Sequence, residues 1–172
     1  MNFYHSKAVR LGAIGLIAFS AIAPSFAHAA TAAPKALGKA KVNTVHLPSV
    51  SAHAGVAPVI GKAVGAAPTK LITKDVIVGK GKTAISSSTV TAQYVVMSWK
   101  TGVVYQTSWT AQPFTAPLSN LIAGWQQGIP GMKIGGRRLF IIPPALAYGA
   151  QGAGNIPANE TLVFVVDLLG VK

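Results

Sequence analysis

From Lys70 onward the apolar residues of this chain fall at alternate positions, and glycine or proline stops each alternating run. Alternation at period two puts one set of side chains on each face of an extended strand. Residues 71–78 read as a strand ended by Gly79-Lys80-Gly81. Val90, Ala92, Tyr94 and Val96 alternate with Thr91, Gln93 and Val95, and Trp99-Lys100-Thr101-Gly102-Val103 reads as a hairpin turn into residues 103–109. Residues 137–142 form a further run halted by Pro143-Pro144. In the last one Leu162, Phe164, Val166 and Leu168 share a face, with Val163, Val165 and Asp167 on the other. Only residues 121–127 read as a helix, with Ser119 or Asn120 as cap and Gly128 and Pro130 as stop. There is no internal repeat. The pattern predicts an α+β domain over residues 70–172, an antiparallel sheet wrapped around one short helix.

The chain before Lys70 has another texture. His5, Lys7 and Arg10 make a basic start, and residues 11–23 are an uncharged apolar run, too short to span a bilayer comfortably. Ala27-His28-Ala29 then offers the small residues that signal peptidase requires. Residues 1–30 are therefore expected to be a cleavable export signal, and the mature protein to be periplasmic or secreted, without stable membrane insertion. The chain has no cysteine, so neither a lipid anchor at the cleavage site nor a disulfide is expected. A net charge of +12 would otherwise suggest nucleic acid as partner, which export removes. Residues 31–69 are rich in Ala, Pro and Lys, with no acid and no aromatic. Pro34, Pro48, Pro58 and Pro68 recur through them, and a flexible tether is expected. Lys35, Lys39, Lys41 and Lys62 give that tether an attraction for anionic envelope polymers.

Beyond Lys70 there is no His, and the carboxylates Asp75, Glu160 and Asp167 are far apart in sequence. That composition leaves no Ser-His-Asp or Cys-His triad and no glycosidase-like carboxylate pair. Gly79-Lys80-Gly81 lacks the spacing of a phosphate loop, and His28, His46 and His53 are too scattered for a metal site. No metal and no cofactor are expected. An enzyme built from these residues must catalyse a reaction that needs no nucleophile, strong acid or metal. Rotation about an X-Pro amide is such a reaction, with a barrier of roughly 18–20 kcal/mol set by resonance. A dry aromatic pocket lowers it by withdrawing solvent hydrogen bonds from the carbonyl and by fitting the twisted amide better than either planar isomer.

The order Gly124-Trp125-x-x-Gly128-Ile129-x-Gly131-Met132-x-x-Gly135-Gly136-Arg137-Arg138 resembles the central signature of FKBP-type peptidyl-prolyl isomerases. Ile142-Pro143-Pro144-Ala145-Leu146-Ala147-Tyr148-Gly149, Ile156-Pro157 and Thr161-Leu162-Val163-Phe164 follow in the order of that family. The resemblance spans about residues 71–171. It implies an FKBP-like sheet around a helix and a prolyl isomerase that assists the folding of exported chains through their X-Pro segments. It also implies roles for particular residues: Trp125 as the floor of the pocket, Tyr94, Phe114 and Phe164 as walls, and Tyr105, Leu121 and Ile156 completing it. The backbone N–H of Ile122 and the hydroxyl of Tyr148 would bond the carbonyls of the bound peptide, beneath a flap at residues 150–155. Gln106 departs from the pattern by standing where the family commonly has aspartate, so macrolide inhibitors are expected to bind only weakly. The same change favours an alternative, a weakly catalytic binding module for proline-containing segments of a partner.

Overall fold

The computed structural model describes residues 45–172; the expected export signal and the first part of the expected tether lie outside them. The described residues form six strands, all but the fourth on runs that the alternation predicts: β1 (Ile72–Ile77), β2 (Thr89–Ser98), β3 (Val104–Thr107), β4 (Phe114–Pro117), β5 (Arg137–Ile142) and β6 (Leu162–Val171). They form one antiparallel sheet in the order β1-β5-β6-β2-β3, with β4 also pairing with β2. The α+β reading therefore stands. β4 goes unpredicted because it holds two prolines' worth of disruption near its ends, Pro113 and Pro117, and too few residues to alternate.

The helix, α1 (Ala123–Gly128), starts two residues later than its sequence pattern. Ile122 occupies the N-cap without any side-chain bond, because Ser119 and Asn120 are taken up in a 3-10 turn, Leu118–Asn120, pinned by the buried Leu118. In exchange Gln126 donates to the carbonyl of Leu121 at 2.7 Å and so ties that turn to the helix. Gly124 and Gly128 face β5, and a Cβ on either would collide with Ile142 or Phe140. The glycines thus let a helix of barely two turns lie directly on the sheet. Arg138 fastens its far end, donating to the Gly128 carbonyl at 2.6 Å while its fork holds Asp75 on β1 at 2.6 and 3.0 Å.

The sheet is buried on both faces. Its inner face packs Val90, Ala92, Val96, Phe140, Ile142, Phe164, Val166 and Leu168 against Trp125, Ile129 and Met132. Its outer face presents Met97, Trp99, Leu139, Ile141, Val163 and Val165, all buried.

What covers that outer face corrects the expected flexible tether, as far as its residues are described. Residues 45–68 double back as a hairpin with bridges His46–Val64 and Val50–Ile60, and Leu47, Val50, Ile60 and Ala63 lie on the outer cluster. Trp99 donates its indole N–H to the Gly65 carbonyl at 3.3 Å. Arg137, fully buried, grips Asp167 through Nε at 2.5 Å and Nη2 at 2.8 Å. The same guanidinium then donates to the hairpin carbonyls of Ser51 and Val56 at 2.9 and 2.7 Å. The segment has too few apolar residues to fold alone, but the outer face supplies the missing half of its core.

Candidate active site

β2, β3, β4, β6, the loop before α1 and the turn after β5 converge on one cavity of about 170 Å³. Its lining is Tyr94, Val96, Gln106, Phe114, Leu121, Ile122, Trp125, Tyr148 and Phe164. Strand pleating explains the first three. Tyr94 and Val96 are two apart on β2, and Gln106 pairs with Val96 across the ladder. Phe114 comes from the start of β4 beside Ala92, and Phe164 from β6 opposite Val96.

Trp125 is the hub. It meets Tyr94 at 5.7 Å, Phe164 at 5.6 Å and Phe114 at 6.3 Å between ring centroids, each nearly perpendicular. Edge-to-face contacts of this kind hold aromatic rings in fixed orientation. Its indole N–H is buried and, like that of Trp109, finds no acceptor among the described residues, a costly state for a buried donor. Among the described residues the backbone N–H of Ile122 likewise has no acceptor, while its carbonyl takes the N–H of Trp125.

Burial pushes the phenol of Tyr94 above the ordinary tyrosine value, and neighbouring Tyr148 adds to the effect. Burial does the same to Tyr148. Both hydroxyls are therefore protonated at neutral pH and can donate. Among the described residues no carboxylate lines the cavity.

Of the residues singled out from the sequence, Tyr94, Gln106, Phe114, Leu121, Ile122, Trp125, Tyr148 and Phe164 border this cavity. Tyr105 and Ile156 do not. The ring of Tyr105 packs beside the inner cluster, and Ile156 is buried within it. Val96 is a lining residue that the sequence reading passed over, although its spacing from Tyr94 carried the signal. A wider groove of about 550 Å³ runs where the hairpin residues Ala63, Gly65 and Ala67 meet Trp99, Lys100 and Glu160.

Comparison with known proteins shows the family. Residues 80–169 match the family model for the FKBP-type peptidyl-prolyl cis-trans isomerase. The chain belongs to that family. As an FKBP-type isomerase it is 47% identical over 113 residues to a probable FK506-binding protein of Corynebacterium glutamicum, covering 65% of this chain and 96% of that one. It is 44% identical over 112 residues to an FK506-binding protein of Streptomyces anulatus, covering 62% and 90%. Its likeness to FkpA of Escherichia coli, 39% identical over 112 residues, spans 64% of this chain but only 41% of FkpA. Among solved structures, FkpA superposes with a TM-score of 0.57 at 40% identity, covering 60% of this chain and 49% of FkpA. AtFKBP13 superposes at 0.56 and 34% identity, covering 62% and 96%. The antiparallel sheet with one short helix is thus the FKBP fold, and the enzyme is a peptidyl-prolyl cis-trans isomerase.

Proposed function

We propose that this isomerase acts on X-Pro segments of exported polypeptides as they fold, through the cavity centred on Trp125. The observation that carries the reading is the lining itself: an aromatic floor and walls, aliphatic Val96, Leu121 and Ile122, and no ionisable group except two protonated phenols. A cavity of about 170 Å³ suits a proline ring and little more. Trp125 would lie beneath that ring, with Tyr94, Phe114 and Phe164 around it. The free N–H of Ile122 and the hydroxyl of Tyr148 would bond the peptide carbonyls. Withdrawing the prolyl carbonyl from water weakens amide resonance, and the twisted amide then fits the cavity better than either planar form. Tyr105 and Ile156 support the walls from behind. Export rests on the basic start, apolar run and small-residue motif of residues 1–30. Within the described residues no helix is long and apolar enough to cross a membrane. Lys35, Lys39, Lys41 and Lys62 would add a contact to anionic envelope polymers.

Tyr148→Phe removes a donor and almost no volume. Isomerisation of an Ala-Leu-Pro-Phe peptide, followed by NMR exchange, is expected to slow roughly tenfold in a folded variant, the worth of one hydrogen bond of about 1–1.5 kcal/mol. Unchanged turnover would take Tyr148 out of the site. Absent turnover in the unaltered protein, with the peptide still bound, would instead favour the binding module.

Gln106 points into the cavity as a neutral amide in place of the carboxylate usual in the family. FK506 should therefore bind this protein weakly, and Gln106→Asp should tighten binding about tenfold or more, since a charge-assisted bond contributes roughly 1.5–3 kcal/mol. Calorimetric titration finding no gain would show that residue 106 does not meet the ligand.

A further inference from the structure

The flap expected at residues 150–155 is built mainly from small residues. Ala153 and Ile156 close its turn with reciprocal backbone bonds of 3.0 and 2.8 Å, and Gly152 donates to the Tyr148 carbonyl at 3.1 Å. Ile156 anchors one end in the core, with 8% of its surface exposed. One side chain ties this loop to a strand outside it: Asn155 Nδ2 donates to the carbonyl of Tyr105 on β3 at 2.9 Å. That carbonyl is available for a structural reason. β2 pairs Val96 with Gln106 and Met97 with Val104, so Tyr105 is the extra residue of a bulge and has no ladder partner. The bulge and the flap meet next to Gln106, while Tyr148 stands at the flap's base, and both of those residues line the cavity.

We propose that Asn155 is a positioning residue that latches the flap onto the β3 bulge and so sets the opening of the cavity between Gln106 and Tyr148. Asn155 is exposed and does not border the cavity, so in this reading it acts by holding other groups in place. With the latch closed, the wall carrying Gln106 and the turn carrying Tyr148 keep one separation, and a bound peptide meets a preformed site. With it open, each binding event must first order the flap, which weakens binding more than it slows rotation.

The inference rests on the isomerase reading, and its test has one readout that does not. Asn155→Asp keeps the shape but sets a carboxylate against the Tyr105 carbonyl; Asn155→Ala removes the group. In the full chain both are expected to raise KM for a Leu-Pro tetrapeptide about three- to tenfold with kcat within about twofold. Amide hydrogen exchange at Gly152, Ala153 and Ile156 should quicken about tenfold, with Val163 and Val165 unchanged. Unaltered KM together with unaltered flap exchange in both variants would overturn the latch. So would faster exchange spread evenly through β2, β5 and β6, which marks general destabilisation. If the unaltered protein turns over no peptide, the isomerase reading fails, and flap exchange alone decides whether Asn155 is a latch.

Discussion

A chain begun at Lys70 is expected to melt roughly 10–30 °C below one that retains residues 45–69, or to self-associate. The shorter chain keeps every strand, the helix and the whole cavity, and it is the boundary that alternation alone suggests. It nevertheless strips the cover from Met97, Trp99, Leu139, Ile141, Val163 and Val165. Returning one large apolar side chain to water costs about 1.5–3 kcal/mol, and the hairpin's ordering entropy offsets much of the sum. A net loss of about 2–4 kcal/mol corresponds to the stated shift for a domain of this size. Exposed apolar surface of that extent on a sheet face also promotes association. Differential scanning calorimetry over a dilution series separates the two outcomes. A fragment of residues 70–172 that is monomeric and melts with the longer chain would show that the hairpin contributes nothing.

Asp167→Ala is expected to destabilise the protein by about 3–5 kcal/mol, because it leaves a buried guanidinium without its counter-charge. Arg137 has no exposed surface, and its fork is satisfied by Asp167 across the β5–β6 ladder and by the carbonyls of Ser51 and Val56. Trp109 adds a face 5.9 Å from the guanidinium, a weak cation–π contact. Replacing both partners with apolar residues of similar size, Arg137→Met with Asp167→Leu, should recover most of the loss, since desolvating the two charges cost nearly what their attraction returns. Urea unfolding of the two singles and the double makes the cycle. A double variant no more stable than Asp167→Ala would mean that the carbonyl contacts to the hairpin matter more than the ion pair. An Asp167→Ala single as stable as the parent would mean that water reaches Arg137 in solution.

The two predictions concern the same link, from the ladder of β5 and β6 to a segment that precedes the family-model match. The match to the family model for FKBP-type isomerases begins at residue 80. Everything needed for the cavity lies after that point, while part of what keeps the sheet dry lies before it.

Alternation and breakers in the sequence were enough to determine β1, β2, β5 and β6, because strands in one sheet must show the same face to a common core. For the site, composition narrowed the chemistry and the family resemblance supplied the residues. Where a domain offers neither nucleophile nor His, and its glycines at 124 and 128 flank a lone tryptophan, few reactions remain. Eight of the ten residues that the family resemblance named border one cavity. Tyr105 misses it because a bulge turns that position out of the alternation, and no residue pattern in a four-residue strand marks a bulge. Only the tertiary structure decided the fate of residues 45–68. Their Ala- and Pro-rich composition reads as a tether, since folding requires a partner surface that they do not contain. That surface is assembled from β2, β5 and β6, thirty and more residues away along the chain. The same holds for the burial of Arg137 and for the bond from Asn155 to Tyr105: each depends on an acceptor that exists only once distant strands have paired.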